Sequence, residues 1–169
     1  LGSADFWRVQ PLVMTVLGIY GGLIALWSGP WIRDVAGFDG PGSANVLLLA
    51  AGAVIVSGLA TGPLSGLALR LGLSPIGFAV ATAVLFTGVI YLLAAQWIPA
   101  PTGVFFLWGA FGFMAPLALV VYAALGAEFP KELNGRLNAC LTLSWLLGAF
   151  VVQNIYGVVL DQFPAAGAG

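Results

Sequence analysis

The stretch that decides the fold is Gly58-Leu-Ala-Thr-Gly62-Pro63-Leu-Ser-Gly66-Leu-Ala-Leu-Arg70-Leu-Gly72. Up to Gly66 its glycines recur at every fourth position. In a helix they share one face, and a face without side chains lets a neighbouring helix approach closely in lipid. Arg70 stands where the apolar run stops, because a charge at the bilayer centre costs about 2.5 kcal/mol or more, whereas a long side chain near a helix end can reach the headgroups. The stretch predicts a transmembrane helix that packs through its glycine face and leaves the membrane at Arg70.

The composition extends this interpretation to the whole chain. Of the 169 residues, 61% are hydrophobic and only 7% are charged, against about 25% charged residues in soluble domains. The net charge is −1 and no cluster of Lys and Arg is present, which excludes nucleic acid as a partner because nothing would neutralise its phosphates. The single cysteine, Cys140, cannot form an internal disulfide. We therefore expect an integral membrane protein whose main partner is the lipid bilayer.

Apolar runs of about 20 residues are long enough to cross a bilayer as helices. Such runs alternate with short segments rich in Gly, Pro and polar residues, which are typical of connections. The pattern predicts an all-α polytopic membrane helix bundle, a single transmembrane domain over residues 1–169, with five spans at approximately 12–31, 46–69, 75–97, 103–127 and 137–159.

The connections carry their own signals. Residues 1–10 are expected to be a polar lead-in and residues 31–44 an exposed loop. The predicted helix N-caps are Asn45, Ser74 and Thr102. Pro63 is predicted to bend the second span between Gly62 and Gly66, and Pro116 to interrupt the fourth. Because the chain begins without an initiator methionine, we expect it to come from a longer protein.

Candidate cavity residues lie on three of the predicted spans. In the first, the small residues Gly18, Gly22, Ala25 and Gly29 share a face that is expected to meet another helix. Tyr20 and Trp27 lie opposite and either contact lipid or line a cavity, while Trp31 is expected at the lipid interface. In the fourth span, Trp108 and Tyr122 flank a face of small residues.

The fifth span carries the most polar face of the chain, made of Asn138, Thr142, Trp145, Ala149, Gln153 and Tyr156. A polar group facing lipid has no partner, so this face is expected to meet protein or water. It either forms hydrogen bonds between helices or faces a solute; the second interpretation is favoured for Gln153 and Asn138, the first for Thr142. The complete set of cavity candidates is Tyr20, Trp27, Trp108, Tyr122, Asn138, Trp145 and Gln153.

The basic residues predict the orientation. If the five spans alternate, one side of the membrane holds four of the five basic residues, namely Arg8, Arg70, Lys131 and Arg136, and the other holds only Arg33. The positive-inside rule then places the first side, and the N-terminus, in the cytoplasm.

Three segments resemble the major facilitator superfamily. The segment around Arg70 and Gly72, preceded by Leu67 and Ala68, resembles the Gly-x-Leu-Ala-Asp-Arg-x-Gly-Arg loop between the eighth and ninth helices of that superfamily. It departs from the pattern at three positions, where Ser65 replaces the first glycine, Leu69 the aspartate and Leu73 the last basic residue. Residues 129–136, Phe-Pro-Lys-Glu-Leu-Asn-Gly-Arg, are similar to the segment entering the eleventh helix, and residues 27–37 to the end of the seventh.

The resemblance, which covers helices seven to eleven, implies a secondary active transporter or facilitator that moves a small solute across the bacterial cytoplasmic (inner) membrane by alternating access. It implies two further partners, an N-terminal half and a small-molecule solute. It also implies that the first, second, fourth and fifth spans line the cavity and that the third is peripheral.

The cytoplasmic gate candidates are Arg70, Gly72, Glu128, Glu132 and Arg136. The hypothesis is that Arg70 pairs with Glu128 or Glu132 in one state and releases in the other. The alternative is headgroup anchoring, because partly exposed ion pairs contribute only about 0 to 1 kcal/mol.

Other functions leave different marks in a sequence. The chain has no histidine, and no ionisable residue other than Tyr or Cys lies in the middle of a predicted span. We therefore expect no intramembrane proton relay in this chain, no enzyme activity, no metal and no cofactor. A five-span membrane assembly or scaffold subunit without transport activity remains the alternative function, because it needs only the same small-residue packing faces.

Overall fold

The computed structural model describes residues 4–99 and 101–162, and within them the chain is helical, without strands. Five long helices follow one another, α1 over 4–35, α2 over Gly40–Arg70, α3 over Pro75–Ala95, α4 over Thr102–Glu128 and α5 over Asn134–Asp161. All five are long and apolar enough to cross a membrane. The predicted all-α bundle of five membrane helices is confirmed at this level. Residues 1–3 of the expected lead-in and the tail after Gln162 lie outside the described residues.

Helix α1 is longer at both ends than the predicted first span. The expected lead-in is helical from residue 4 onward, because Phe6 and Val9 are buried in the bundle. The expected loop at 31–44 is also wrong, since only residues 36–39 separate α1 from α2. Two wider π-helical turns, Leu23–Trp27 and Trp31–Val35, lie on either side of Pro30. They accommodate a proline that has no backbone N–H to donate to the preceding turn.

The helix starts follow local capping chemistry, with two corrections. The Ser74 hydroxyl accepts a 3.0 Å hydrogen bond from the Gly77 N–H, which confirms the predicted cap of α3. Helix α2 is capped by Asp39, whose carboxylate accepts a 2.7 Å bond from the Gly42 N–H. The predicted cap Asn45 therefore lies inside the helix. Thr102 is the first residue of α4, and the N-cap position is Pro101, which makes no side-chain capping bond with the described residues.

Consecutive helices run antiparallel. One buried cluster joins the start of α1, the start of α3, the end of α4 and the start of α5, through Phe6, Ala79, Leu125 and Leu137. A second cluster at the opposite end joins the end of α1 to the start of α2, the end of α3 and the start of α4, through Ile32, Val46, Val89 and Val104. We call the first end, which carries Arg8, Arg70, Lys131 and Arg136, the basic end. The opposite end carries Arg33, Asp34, Asp39 and Asp161 and is called the acidic end.

Helix pairs form the bundle: α1 packs along α5, α2 packs along α4, and α3 lies mainly against α4. Close approaches between helices occur at several glycines. A Cβ added at Gly18 of α1 would lie 2.8 Å from the Gly148 carbonyl carbon of α5, and one added at Gly112 of α4 would collide with the Ala50 carbonyl of α2. The predicted small-residue face of the first span therefore does meet another helix at Gly18.

The glycine face of α2, which the sequence predicts to pack against another helix, contacts no other helix among the described residues. No atom lies within 4 Å of a Cβ added at Gly58, Gly62 or Gly66. Helix α2 instead makes a close contact with α4 at Ala50, nearer its start. No described residue of this chain makes the predicted contact, because residue spacing identifies a helix face but does not identify what lies opposite it. In α4 the expected interruption at Pro116 is confirmed, as a 3₁₀ turn over Ala115–Leu119.

Candidate functional site

A groove of about 580 Å³ lies halfway along the bundle. We call it the central groove; its lining residues are Leu17, Tyr20, Gly21, Ile24, Ala25, Val54, Pro116, Leu119, Trp145, Leu146, Ala149 and Gln153. They come from α1, α2, α4 and α5, each near its midpoint, and α3 contributes none of them. These are the four helices that the resemblance to the major facilitator superfamily implies as cavity-lining.

Glycines and one aromatic contact position the polar side chains of the groove. The Tyr20 ring packs on Phe111 of α4, with ring centroids 5.2 Å apart. A Cβ added at Gly21 would lie 3.1 Å from the Trp145 ring, so Gly21 leaves the space that this ring occupies. The close contact of Gly18 with Gly148, about one turn away, holds α1 against α5 beside the groove.

Two polar groups in the groove are half-buried and have no hydrogen-bond partner among the described residues, the Tyr20 hydroxyl and the Gln153 carboxamide. The other lining side chains are apolar apart from the Trp145 indole N–H, and none is charged. The groove thus offers an aromatic and aliphatic surface with a few donors and acceptors, which suits a neutral or amphipathic molecule.

Two predicted cavity residues, Trp27 and Trp108, lie in a different cavity. A pocket of about 100 Å³, which we call the aromatic pocket, lies between α1, α3, α4 and α5 toward the acidic end and is lined by Leu23, Trp27, Ser28, Trp31, Ile90, Leu93, Ala94, Trp108, Phe111 and Tyr156. Trp108 is only 4% exposed. Trp31, expected at the lipid interface, instead packs on Trp108 with ring centroids 6.0 Å apart.

The residues of the polar face of α5 lie in three different environments. Trp145 and Gln153 line the central groove, and Tyr156 lines the aromatic pocket. Asn138 and Thr142 are exposed near the basic end, outside both cavities. Tyr122 of α4 packs against the buried cluster at that end and interacts with the Thr142 side chain. Of the cavity candidates named from the sequence, the structure brings Tyr20, Trp145 and Gln153 together in the central groove and places Trp27 and Trp108 in the aromatic pocket.

Four gate candidates, Arg70, Glu128, Glu132 and Arg136, are exposed at the basic end. In the part of the chain that the structure describes, no ion pair joins Arg70 to Glu128 or Glu132.

The fifth gate candidate, Gly72, has an evident structural role. Its φ of +83° is accessible to glycine without steric cost. The Gly72 and Leu73 N–H groups donate to the Leu69 and Ala68 carbonyls at 3.0 and 2.9 Å. This pair of bonds is a Schellman motif that ends α2 directly after Arg70.

Within residues 4–99 and 101–162, no group of three or more His, Cys, Asp or Glu side chains is placed so that it could bind a metal ion. Cys140 is a half-buried free thiol on α5. Comparison with known proteins adds no assignment, because no protein-family model, curated protein or solved structure matches this chain.

Proposed function

We propose that the chain is one wall of the solute pathway of a secondary transporter or facilitator in the cytoplasmic membrane, equivalent to helices seven to eleven of the major facilitator superfamily. The observation that carries this proposal is the central groove, to which α1, α2, α4 and α5 contribute from their midpoints while α3 contributes nothing. Secondary transporters hold their solutes near the bilayer midplane between two helical domains. The resemblance of residues 67–72 to the superfamily loop supports the same assignment.

The chemistry of the groove supports a pathway rather than a lipid-facing surface. An unpaired hydroxyl or carboxamide is costly in hydrocarbon, where no water can pair with it. The Tyr20 hydroxyl and the Gln153 carboxamide lack protein partners among the described residues and lie at mid-depth. Water, a solute or a second protein domain would provide the missing hydrogen bonds. An N-terminal half opposite the groove would supply the second wall.

The lining favours a small neutral or amphipathic solute, because the groove contains aromatic, aliphatic and amide groups and no charged side chain. Proton coupling through this wall would need an ionisable group at mid-depth, and the lining offers none but the Tyr20 phenol. Any coupling ion is therefore expected to act on the other half, unless transport is facilitated diffusion.

The alternative is an assembly or scaffold subunit, in which a helix of a partner seals the groove. The two functions differ in water access, which single cysteines can report. We would introduce Tyr20→Cys or Gln153→Cys into a Cys140→Ser background and treat native membranes with a charged thiol reagent. As a matched control, Leu85→Cys would place a thiol on the exposed surface of α3, where Leu85 is 57% exposed, away from the groove.

A transporter wall is expected to give labelling at positions 20 and 153 and none at position 85, because a charged reagent reaches only water-filled space. Protection of positions 20 and 153 to the level of position 85 would contradict the transporter proposal and favour the scaffold.

A separate prediction concerns the latch at the basic end, in which Arg70 pairs with Glu128 or Glu132 in one state and releases in the other. Arg70 and Glu128 are exposed, and neither has an ion-pair partner among the residues that the structure describes, so pairing would require a second conformation. With Arg70→Cys and Glu128→Cys in the Cys140→Ser background, oxidation in membranes is expected to form a disulfide in a fraction of the molecules. A matched pair, Arg70→Cys with Lys131→Cys, whose side chain is exposed at the same end but is not part of the proposed latch, reports random collision. Equal yields from the two pairs would argue against a latch.

A further inference from the structure

A groove at the basic end of the bundle lies apart from the central groove and from the aromatic pocket. It has a volume of about 490 Å³ and is formed by the start of α1, the connection between α4 and α5, and the start of α5. We call it the basic-end groove; its lining residues are Phe6, Phe129, Leu133, Arg136, Leu137, Ala139 and Cys140. Arg136 is the charged residue among them. The groove is therefore an apolar surface bordered by a cation.

The Arg136 side chain has no partner for its charge within the described part of the chain. It is exposed, and it makes no ion pair or hydrogen bond with a described residue. The carboxylates nearest to it along the chain, Glu128 and Glu132, are also exposed and do not line the groove. A guanidinium carries its N–H donors in a fixed planar arrangement that matches the oxygens of a phosphate group. Arg136 therefore offers an anion-binding group beside an apolar surface.

The groove lies where the bundle leaves the membrane. Trp7, the neighbour of the lining residue Phe6, is 58% exposed and packs edge-on against the Phe6 ring, with centroids 5.5 Å apart. Exposed tryptophans are typical of the membrane interface, at the level of the headgroups. Helix α5 begins at Asn134, so Arg136 lies in its first turn. Lipid phosphates are therefore expected at the level of Arg136.

The order of residues along α5 matches the order of groups in a lipid. Cys140 follows Arg136 by four residues, so it lies on the same face of the helix, about 6 Å further toward the middle of the bundle. Leu137, which is buried, lies between the two and also lines the groove. A lipid whose phosphate contacts Arg136 would thus place the start of its acyl chain over Leu137 and Cys140.

We infer that the basic-end groove binds an anionic phospholipid, whose phosphate pairs with Arg136 and whose acyl chain covers Phe6, Leu137 and Cys140. Basic pockets between membrane helices near the cytoplasmic surface are typical sites for anionic headgroups. A zwitterionic lipid is disfavoured because no carboxylate lines the groove to pair with its ammonium. Free phosphate is disfavoured because it would leave the apolar lining uncovered. The inference does not rest on the proposed transport function; it needs only that the basic end lies at a membrane surface.

Cys140 can report whether the groove is occupied, because it is the one cysteine of the chain and is half-buried in the groove lining. We would reconstitute the purified full chain in phosphatidylcholine nanodiscs with increasing fractions of phosphatidylglycerol. Mass spectrometry then measures the rate at which N-ethylmaleimide alkylates Cys140. The expected result is a saturable fall in this rate by about fivefold or more, as for a lipid present at several times its dissociation constant.

Three variants separate lipid binding from the general effect of an anionic surface. Arg136→Gln removes the guanidinium and is expected to abolish the protection of Cys140. Lys131→Gln removes a positive charge from the same end, at a residue outside the groove lining, and should retain the protection. Leu71→Cys in a Cys140→Ser background places a thiol in the α2–α3 connection, where Leu71 is 73% exposed. Any change in its rate measures the effect of surface charge on thiol ionisation, and the protection of Cys140 is taken relative to it.

Retained lipid gives a second measurement that does not depend on the thiol. Native mass spectrometry of protein released from nanodiscs with equal amounts of the two lipids is expected to show an excess of bound phosphatidylglycerol. The excess should persist in Lys131→Gln and disappear in Arg136→Gln. Equal retention of the two lipids, an alkylation rate that does not depend on phosphatidylglycerol, or equal protection in the two variants would overturn the inference. A Cys140 thiol that is unreactive at every lipid composition would also overturn it, because a protein segment would then cover the groove.

Discussion

The glycines of this chain differ in how much space surrounds them. At Gly112 an added methyl group would collide with the Ala50 backbone carbonyl of α2, whereas at Gly62 it would meet no atom within 4 Å. We expect Gly112→Ala to destabilise the protein by about 1 to 3 kcal/mol, because a backbone contact cannot yield without separating α2 from α4. Gly62→Ala should be neutral or stabilising by up to about 1 kcal/mol, through helix propensity.

Unfolding of the two variants in mixed micelles, followed by circular dichroism, measures this difference. Equal losses of stability would mean that the glycine face of α2 is packed as tightly as Gly112, contrary to the structure.

The helix N-caps show which features can be predicted from neighbouring residues alone and which cannot. Ser74 followed by Pro75 was recognisable from sequence, because an N-cap and a first-turn proline act over a few residues. Asn45 has the same chemistry as Asp39, but Asp39 comes earlier and precedes Gly40 and Pro41, which suit a helix start. The choice between the two caps therefore depended on where α2 had to begin in order to bury Val46.

At the scale of helices, the α1–α5 pair is joined by close glycine contacts and by a polar bond. The Gln10 side-chain amide donates to the Ser144 hydroxyl at 3.0 Å, and that hydroxyl donates to the Cys140 carbonyl at 2.8 Å. We expect a Gln10→Ala and Ser144→Ala double-mutant cycle to give a coupling of about 0.6 kcal/mol and no more than about 1.7 kcal/mol, the range for such bonds in membrane helices.

The matched control is Asn154→Ala, since the Asn154 amide donates at 2.7 Å to Phe150 of its own helix and should show no coupling with Gln10→Ala. A coupling near zero between Gln10 and Ser144 would show that the bond contributes nothing beyond the glycine contacts.

Over the whole molecule, the charge distribution predicts the orientation in the membrane. Four of the five basic residues lie at the basic end, so this end is expected in the cytoplasm. In a Cys140→Ser background, Leu71→Cys in the α2–α3 connection should react with an impermeant thiol reagent only from the cytoplasmic side. Gln162→Cys, beyond the end of α5, should react only from the other side. Labelling of both from one side would contradict an odd number of crossings between them, and the reverse result would contradict the orientation.

Composition and local chemistry were enough to predict the number and type of the helices, the Ser74 cap and the break at Pro116. These features depend on apolar length, on a backbone N–H that proline lacks, and on bonds between near neighbours in the chain. Periodicity also selected Trp145 and Gln153 as cavity candidates and left Tyr20 between lipid and a cavity; the structure places all three in the central groove.

Only the tertiary structure decided which faces have neighbours. In the structure, Gly112 and Gly148 contact the backbones of neighbouring helices, whereas no described residue covers Gly58, Gly62 or Gly66. Trp27 and Trp108 line the aromatic pocket and not the central groove. The physical reason is that a repeat of three and four residues identifies one side of a helix, while the occupant of the opposite side depends on distant segments whose arrangement no local pattern encodes.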